Sequence, residues 1–267
     1  MTTSGLAAPF PHQAETVLRV TEHFSRDPAV VALLLGGSIA HGFHAPESDV
    51  DILIVVSDAD HRERQGTPRA CFFSRELCSY AGGYVDGKYI SEEFLRAVRA
   101  KGSEPARYAF QDVRVLFSRS ATLAALLHEI PRYPLAEKAD RIRRFQGQVE
   151  AWHWYSGEAL KRNDLPLLRT AVAKLTLFGG RLVLAHNELL YPYHKWFLRV
   201  LAGAPEQPPG LLALIEQLAR DPERESIERF ARLIKEFRGW DMSAWGAQFL
   251  EDSELTWLHS SAPIDDI

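Results

Sequence analysis

The chain is poor in sulfur. Two cysteines, Cys71 and Cys78, are too few and too loosely spaced for a zinc centre, and a disulfide is not expected in a reducing compartment, so both are expected to be thiols of the core. No apolar run reaches the eighteen residues that a membrane-spanning helix needs, and the start, MTTSGLAAPFPHQ, lacks a basic segment followed by an apolar stretch. A cytoplasmic location with no membrane partner is the expectation. Basic surplus is absent too: 31 Lys and Arg against 35 Asp and Glu leave a formal net charge of -4. Without a basic stripe there is no footprint for a long nucleic acid, whereas an acidic balance suits a small cationic acceptor. Hydrophobic residues at 46% and charged residues at 25% are ordinary for a globular protein, and 267 residues favour two domains.

What the chain does have is concentrated in residues 33–56, LLLGGSIAHGFHAPESDVDILIVV. Val30, Val31 and Leu33 to Leu35 read as a buried strand, and residues 49–56 read as a second strand whose entering end carries Asp49 and Asp51. Residues two apart on a strand share a face, so the two carboxylates stand together while Val50 and Ile52 turn to the core. Adjacent carboxylates in an apolar strand repel each other and lose solvation unless a cation sits between them. Oxygen ligands with no cysteine nearby select Mg²⁺, or Mn²⁺, over zinc. Gly36 and Gly37 allow a sharp turn and close backbone approach to an anion, and Ser38 offers a hydroxyl and an N–H at the start of a short helix. These residues are expected to take phosphate.

Gly-Gly-Ser, a spacer from Ile39 to Ser48, and then Asp-x-Asp followed by hydrophobic residues resembles the signature of the nucleotidyltransferase superfamily with the DNA polymerase β type of fold, which includes the antibiotic adenylyltransferases. The resemblance covers roughly the first 120 residues and extends to the rest only in outline. It implies two metal ions on Asp49 and Asp51, completed by a third carboxylate on a neighbouring strand. Asp86, in the strand-like run GGYVDGKYI, falls where that carboxylate belongs, and an aspartate inside a strand is disfavoured by propensity and burial. Its Asp-Gly pair could equally form a hairpin turn. Asp112, in residues 110–117, is the rival; it ranks second because Asp112 and Arg114 on one strand face could satisfy each other.

The periodicity along the rest of the chain predicts a helix over residues 12–26, a surface loop over 58–69, an unassigned apolar patch at Ala70 to Phe73, and a helix begun by Ser91. From about Leu123 the pattern becomes helical throughout. The expected architecture is therefore α+β, with a nucleotidyltransferase catalytic domain of mixed sheet and helices over residues 1–122 and an all-α bundle over 123–267. In the bundle, Leu135, Ile142, Phe145, Val149 and Trp152 mark one stripe, and Gly179-Gly180 permits close packing or a kink in a helix over residues 165–190. Pro192 is expected to end that helix and leave Tyr191, Tyr193, His194 and Lys195 at its terminus. By the resemblance, such a domain faces the metal site and offers a lysine to the triphosphate, which selects Lys195 with Tyr191 or His194 nearby; capping or snorkelling would explain the same residues. His41 and His44 could meet phosphate or acceptor, or serve the local fold, while Glu47 and Ser48 shape the loop.

Together these expectations describe an enzyme that passes AMP from ATP to a hydroxyl of a small acceptor, releasing pyrophosphate. Asp49, Asp51 and Asp86 hold the metals and act in catalysis, and Gly36, Gly37, Ser38 and Lys195 hold the nucleotide. The acceptor could be aminoglycoside-like, another small alcohol or a protein hydroxyl, and a monomer and a homodimer are equally compatible. Two alternatives stand beside this one. An antitoxin-like regulatory protein would keep the fold without turnover, and Arg181 with His186 matches the Arg-x4-His spacing of helical ribonucleases, although Leu182 departs from that pattern.

Overall fold

The computed structural model describes residues 9–241 and 243–260. It divides into two compact units, residues 1–132 and 133–267. The division comes later than the expected junction at 122/123, because the helix Leu123–Glu129 places Leu123, Leu126 and Leu127 with Ile130 in the core of the first unit.

The first unit is a mixed five-stranded sheet with helices on both faces, as the α+β expectation required. Its elements run α1 (Pro11–Ser25), β1 (Val30–Leu35), α2 (Gly37–His41), β2 (Val50–Val56), α3 (Asp58–Arg64), β3 (Cys71–Ser74), β4 (Val85–Ser91), α4 (Glu92–Lys101), α5 (Glu104–Tyr108), β5 (Arg114–Ser118) and α6 (Leu123–Glu129). The strands lie in the order β3-β4-β2-β1-β5. β2 and β4 are parallel, and the other neighbours are antiparallel. On one face Val50, Ile52, Ile54 and Val56 meet Val20 and Phe24 of α1; on the other, Leu34, Val55 and Ile90 meet Leu95 and Val98 of α4. The central strands β1 and β2 are buried on both faces by this arrangement, which explains their nearly continuous apolar runs.

Several local expectations are corrected. Residues 58–64 form α3 rather than loop: Ser57 caps it by accepting from the Asp60 amide at 3.2 Å, and acids in the first turn with bases in the last complement the helix dipole. Gly66 and Pro68 act only after that helix has ended. Cys71 is exposed and Cys78 half-buried, so neither is a core thiol, because β3 lies at the sheet edge and turns Cys71 outward. Asp112 precedes β5 instead of sharing a strand face with Arg114. The expected helix start at Ser91 holds, its hydroxyl accepting from the Phe94 amide at 3.2 Å.

Asp58 ties α3 to α4. The Glu93 amide donates to its carboxylate at 3.0 Å, and that bond, with Ser91 and the charges of Arg96 and Arg62, holds the Asp58 carboxyl below its ordinary value of 3.8. A carboxyl depressed in the folded state contributes stability above that value and loses it as the pH falls through the folded value. Asp58→Asn should therefore lower Tm near neutrality, with a gap from the parent protein that narrows on acidification from pH 5 to pH 3. An unchanged gap in thermal melts over that range would remove this linkage.

The second unit is helical: α7 (Lys138–Arg162), α8 (Leu165–His186), α9 (Phe197–Ala202), α10 (Leu211–Arg220), α11 (Arg224–Phe237) and α12 (Trp245–Phe249). Phe145, Val149, Val172, Leu175, Leu182, Phe230 and Ile234 form its core, whereas Leu135 of the expected stripe lies in a short 3-10 turn and is 60% exposed. Gly179 and Gly180 serve close packing. A Cβ on Gly179 would come within 2.7 Å of Phe230 Cζ, and one on Gly180 within 2.3 Å of Phe197 Cζ. α8 ends at His186, earlier than Pro192, as the chain turns through Glu188 at φ 58°.

Candidate active site

The site is built where β1 gives way to α2 and where β2 begins. Gly36 donates its N–H to the backbone oxygen of Asp51 at 2.9 Å, which fixes the turn against the incoming strand. Gly37 then takes φ +59°, and a Cβ there would lie 1.7 Å from Asp51 Oδ2, so only glycine leaves room for the carboxylate. Ser38 follows at the start of α2. Its Oγ is buried, with no hydrogen-bond partner among the described residues. A buried hydroxyl carries a desolvation cost of about 1–3 kcal/mol unless something bonds to it, and a phosphate oxygen is a fitting acceptor.

The carboxylates are brought together by strand pairing. Asp51 on β2 is in register with Asp86 on parallel β4, and Val50 with Val85. Partners in register point to the same side of a sheet, so Asp86 stands beside Asp51 on the face that also carries Asp49, two residues earlier. All three are half-buried. Asp86 is thus a strand residue and no part of a hairpin turn. Asp112 goes elsewhere: its Oδ2 lies 2.8 Å from Nδ1 of the buried His41. Among the described residues no three Asp, Glu, His or Cys side chains converge on one point closely enough to hold an ion as they stand. The donor set itself, three carboxylates on one face beside a phosphate-sized turn, is the hard-oxygen chemistry that Mg²⁺ or Mn²⁺ takes.

Tyr84 stands among these carboxylates, and the sequence pattern passed over it. The neighbouring Asp49, through hydrogen bonding and charge, and then the charges of Asp86 and Asp51 hold its pKa above the ordinary phenol value of 10.0. Its position two residues before Asp86 on an alternating strand was the available signal. Tyr80 is pushed up to about 12, first by burial and then by Cys78 and Asp49. Its hydroxyl donates to the Ser48 carbonyl at 2.5 Å, while Gln13 donates to the Ala45 carbonyl at 2.8 Å. The loop that delivers Asp49 is therefore anchored from α1 and from residue 80. Ser48 shapes it from within, accepting from the Ala45 amide at 2.9 Å, and Glu47 is exposed. His41 faces the interior, against Tyr108 at 4.8 Å between centroids, and His44 packs edge-on to Phe10.

The remaining candidates lie in the second unit. Lys195 is exposed in the 3-10 turn His194–Trp196, with its ammonium 5.4 Å from the Trp196 ring centroid. The Tyr191 hydroxyl lies 2.9 Å from His194 Nδ1. Arg181 stacks over Phe145 at 4.1 Å and Tyr191 at 4.8 Å, while His186 Nε2 is engaged by Arg238 at 3.0 Å and by Glu206 at 3.4 Å. The arginine of the ribonuclease-like spacing thus lies against aromatic rings and the histidine against Arg238 and Glu206.

Residues 17–99, which contain the turn, Asp49, Asp51 and Asp86, match the family model of the nucleotidyltransferase domain. No curated protein matches the chain. Eleven chains of solved structures do. Among them is a nucleotidyltransferase-like protein from Exiguobacterium sibiricum 255-15, 13% identical, covering 91% of this chain and 80% of its own, with a TM-score of 0.48. No helix among the described residues is long and apolar enough to cross a membrane. The Gly-Gly-Ser turn, the Asp-x-Asp strand and Asp86 all fall within the match, and residues 17–99 of this chain are a nucleotidyltransferase domain.

Proposed function

We propose that the protein transfers a nucleoside monophosphate, AMP from ATP, to a hydroxyl of a small-molecule acceptor and releases pyrophosphate. The observation that carries this reading is the register of Asp51 with Asp86, on the face shared with Asp49 and directly beside Gly37. Gly36, Gly37 and Ser38 would receive the phosphates: Gly37 supplies room, and the buried Ser38 Oγ supplies a hydrogen bond that it otherwise lacks among the described residues. Divalent Mg²⁺ or Mn²⁺ held by Asp49, Asp51 and Asp86 would offset phosphate charge and lower the pKa of the acceptor hydroxyl. Asp86 accepts the proton of that hydroxyl as its oxygen bonds to the α-phosphorus; the α–β anhydride breaks and the electron pair leaves with pyrophosphate.

The test is transfer of label from α-labelled ATP to a panel of hydroxyl acceptors with Mg²⁺ present. Asp51→Asn should reduce transfer by roughly a thousandfold while leaving Tm within a few degrees, since removal of a principal electrostatic group costs on that order. Mg²⁺-dependent transfer by the parent that survives in Asp51→Asn would overturn the assignment. Binding of MgATP with no transfer to any acceptor would favour a regulatory protein of the same fold.

A further inference from the structure

Beyond the carboxylates, the same sheet face continues outward. Phe73 on β3 is the antiparallel partner of Asp86, just as Asp86 is the parallel partner of Asp51. Three adjacent strands therefore present Asp51, Asp86 and Phe73 in one row, at the roughly 4.8 Å spacing of neighbouring strands. Phe73 is 60% exposed. Its neighbour Phe72 points to the opposite face and packs on Phe24, with ring centroids 5.0 Å apart, so the core requirement of β3 is met without Phe73. Tyr84 backs the exposed ring: the two centroids are 5.3 Å apart with planes tilted by 32°. Tyr84 directly precedes β4, whose Val85 and Asp86 pair with Val50 and Asp51, so the ring pair is carried on the strand that carries Asp86.

An exposed phenyl group on an edge strand invites unwanted pairing, a liability that edge strands usually avoid. Here the ring is positioned by register and by Tyr84, beside Asp86, the residue proposed to take the proton of the acceptor. We infer that Phe73, backed by Tyr84, is the acceptor-side platform of the site, and that the acceptor is a hydroxyl-bearing molecule whose ring offers an apolar face, aromatic or pyranose, that stacks on Phe73 and turns its hydroxyl toward Asp86. Stacking on a fixed ring restricts the acceptor to few orientations, which is how a shallow face lined by carboxylates can select among alcohols. Arg75, with its guanidinium 6.0 Å from the Phe73 ring centroid, adds positive charge at this end. That charge favours an uncharged ring face over a cationic one, in contrast to the expectation from the acidic balance of the whole chain.

This inference rests on the nucleotidyl-transfer reading, and its test separates the two. Phenyl β-D-glucoside serves as the ring-bearing probe and glycerol as the acyclic one, with binding followed by saturation-transfer NMR and MgATP binding measured in parallel. The glucoside should bind the parent protein at least tenfold more tightly than glycerol. Phe73→Ser should erase that preference, Phe73→Trp should retain it, and neither should change MgATP binding or Tm by more than a small amount. In label transfer, Phe73→Ser should raise the KM for the glucoside at least tenfold with kcat little altered. Equal binding of the two probes, or glucoside binding unaffected in Phe73→Ser, overturns the platform. Absence of MgATP binding alongside glucoside binding that depends on Phe73 overturns the nucleotidyl-transfer reading and leaves Phe73 as a ring-binding site.

Discussion

Replacing Gly37 by alanine is expected to abolish nucleotidyl transfer, by more than a hundredfold, and to remove Mg²⁺-dependent ATP binding with it. Two costs combine at that position. The backbone is held at φ +59°, where a side chain is strained by about 1–2 kcal/mol, and the new methyl would lie 1.7 Å from Asp51 Oδ2 and 2.6 Å from Asp51 Cβ. The carboxylate cannot yield toward the turn, because Gly36 is bonded to the Asp51 backbone at 2.9 Å and holds the strand in place. It must swing off the face it shares with Asp86, and a displacement of about 1 Å at a reacting group is enough for a hundredfold loss. Calorimetric titration with ATP in the presence and absence of Mg²⁺ checks this. Unchanged binding in Gly37→Ala would show that Asp51 takes no part in holding the nucleotide. Gly36→Ala is the control: its Cβ would meet only Leu53 Cδ1 at 4.0 Å, and a much milder effect is expected.

The largest effect on stability is expected in the second unit, at Phe230. This side chain is fully buried, and its ring edge lies where a Cβ on Gly179 would come within 2.7 Å, so α8 and α11 approach each other through the missing side chain. Phe230→Ala should cost about 3–5 kcal/mol, the range for opening a cavity of that size in a core. Gly179→Ala overpacks the same contact and should cost about 1–3 kcal/mol. Because both act on one contact, they should not add: Gly179→Ala with Phe230→Leu should be less destabilised than the sum of the single changes. Chemical denaturation of the four proteins measures this, and strict additivity would mean that the helices do not meet through this pair.

Much of the catalytic unit was legible because its signals are local. The parity of a strand places Asp49 and Asp51 on one face whatever the strand's neighbours, and the bulk of any Cβ makes Gly37 a turn residue before its φ is known. Capping by Ser91 is equally local. Where reading failed, the deciding influence came from elsewhere. Residues 58–69 looked like loop because Gly66 and Pro68 were weighed ahead of the cap at Ser57. A helical period at Leu123 cannot reveal which core the helix packs on, and Leu123–Glu129 packs on the core of the first unit. Asp112 was matched with Arg114 by spacing alone, whereas the chain brings it to His41, distant in sequence.

The amino-acid sequence by itself determined the chemistry available to this protein: paired carboxylates, a turn open to phosphate, and a helical region with apolar stripes. Tertiary structure alone decided which groups share a site. The parallel pairing of β2 with β4 sets Asp86 beside Asp51, and the antiparallel edge adds Phe73 and its backing by Tyr84. Register between strands distant in sequence depends on the crossover through α3 and β3 and on burial of both sheet faces. Those are sums over many weak contacts, and no short stretch of sequence records them.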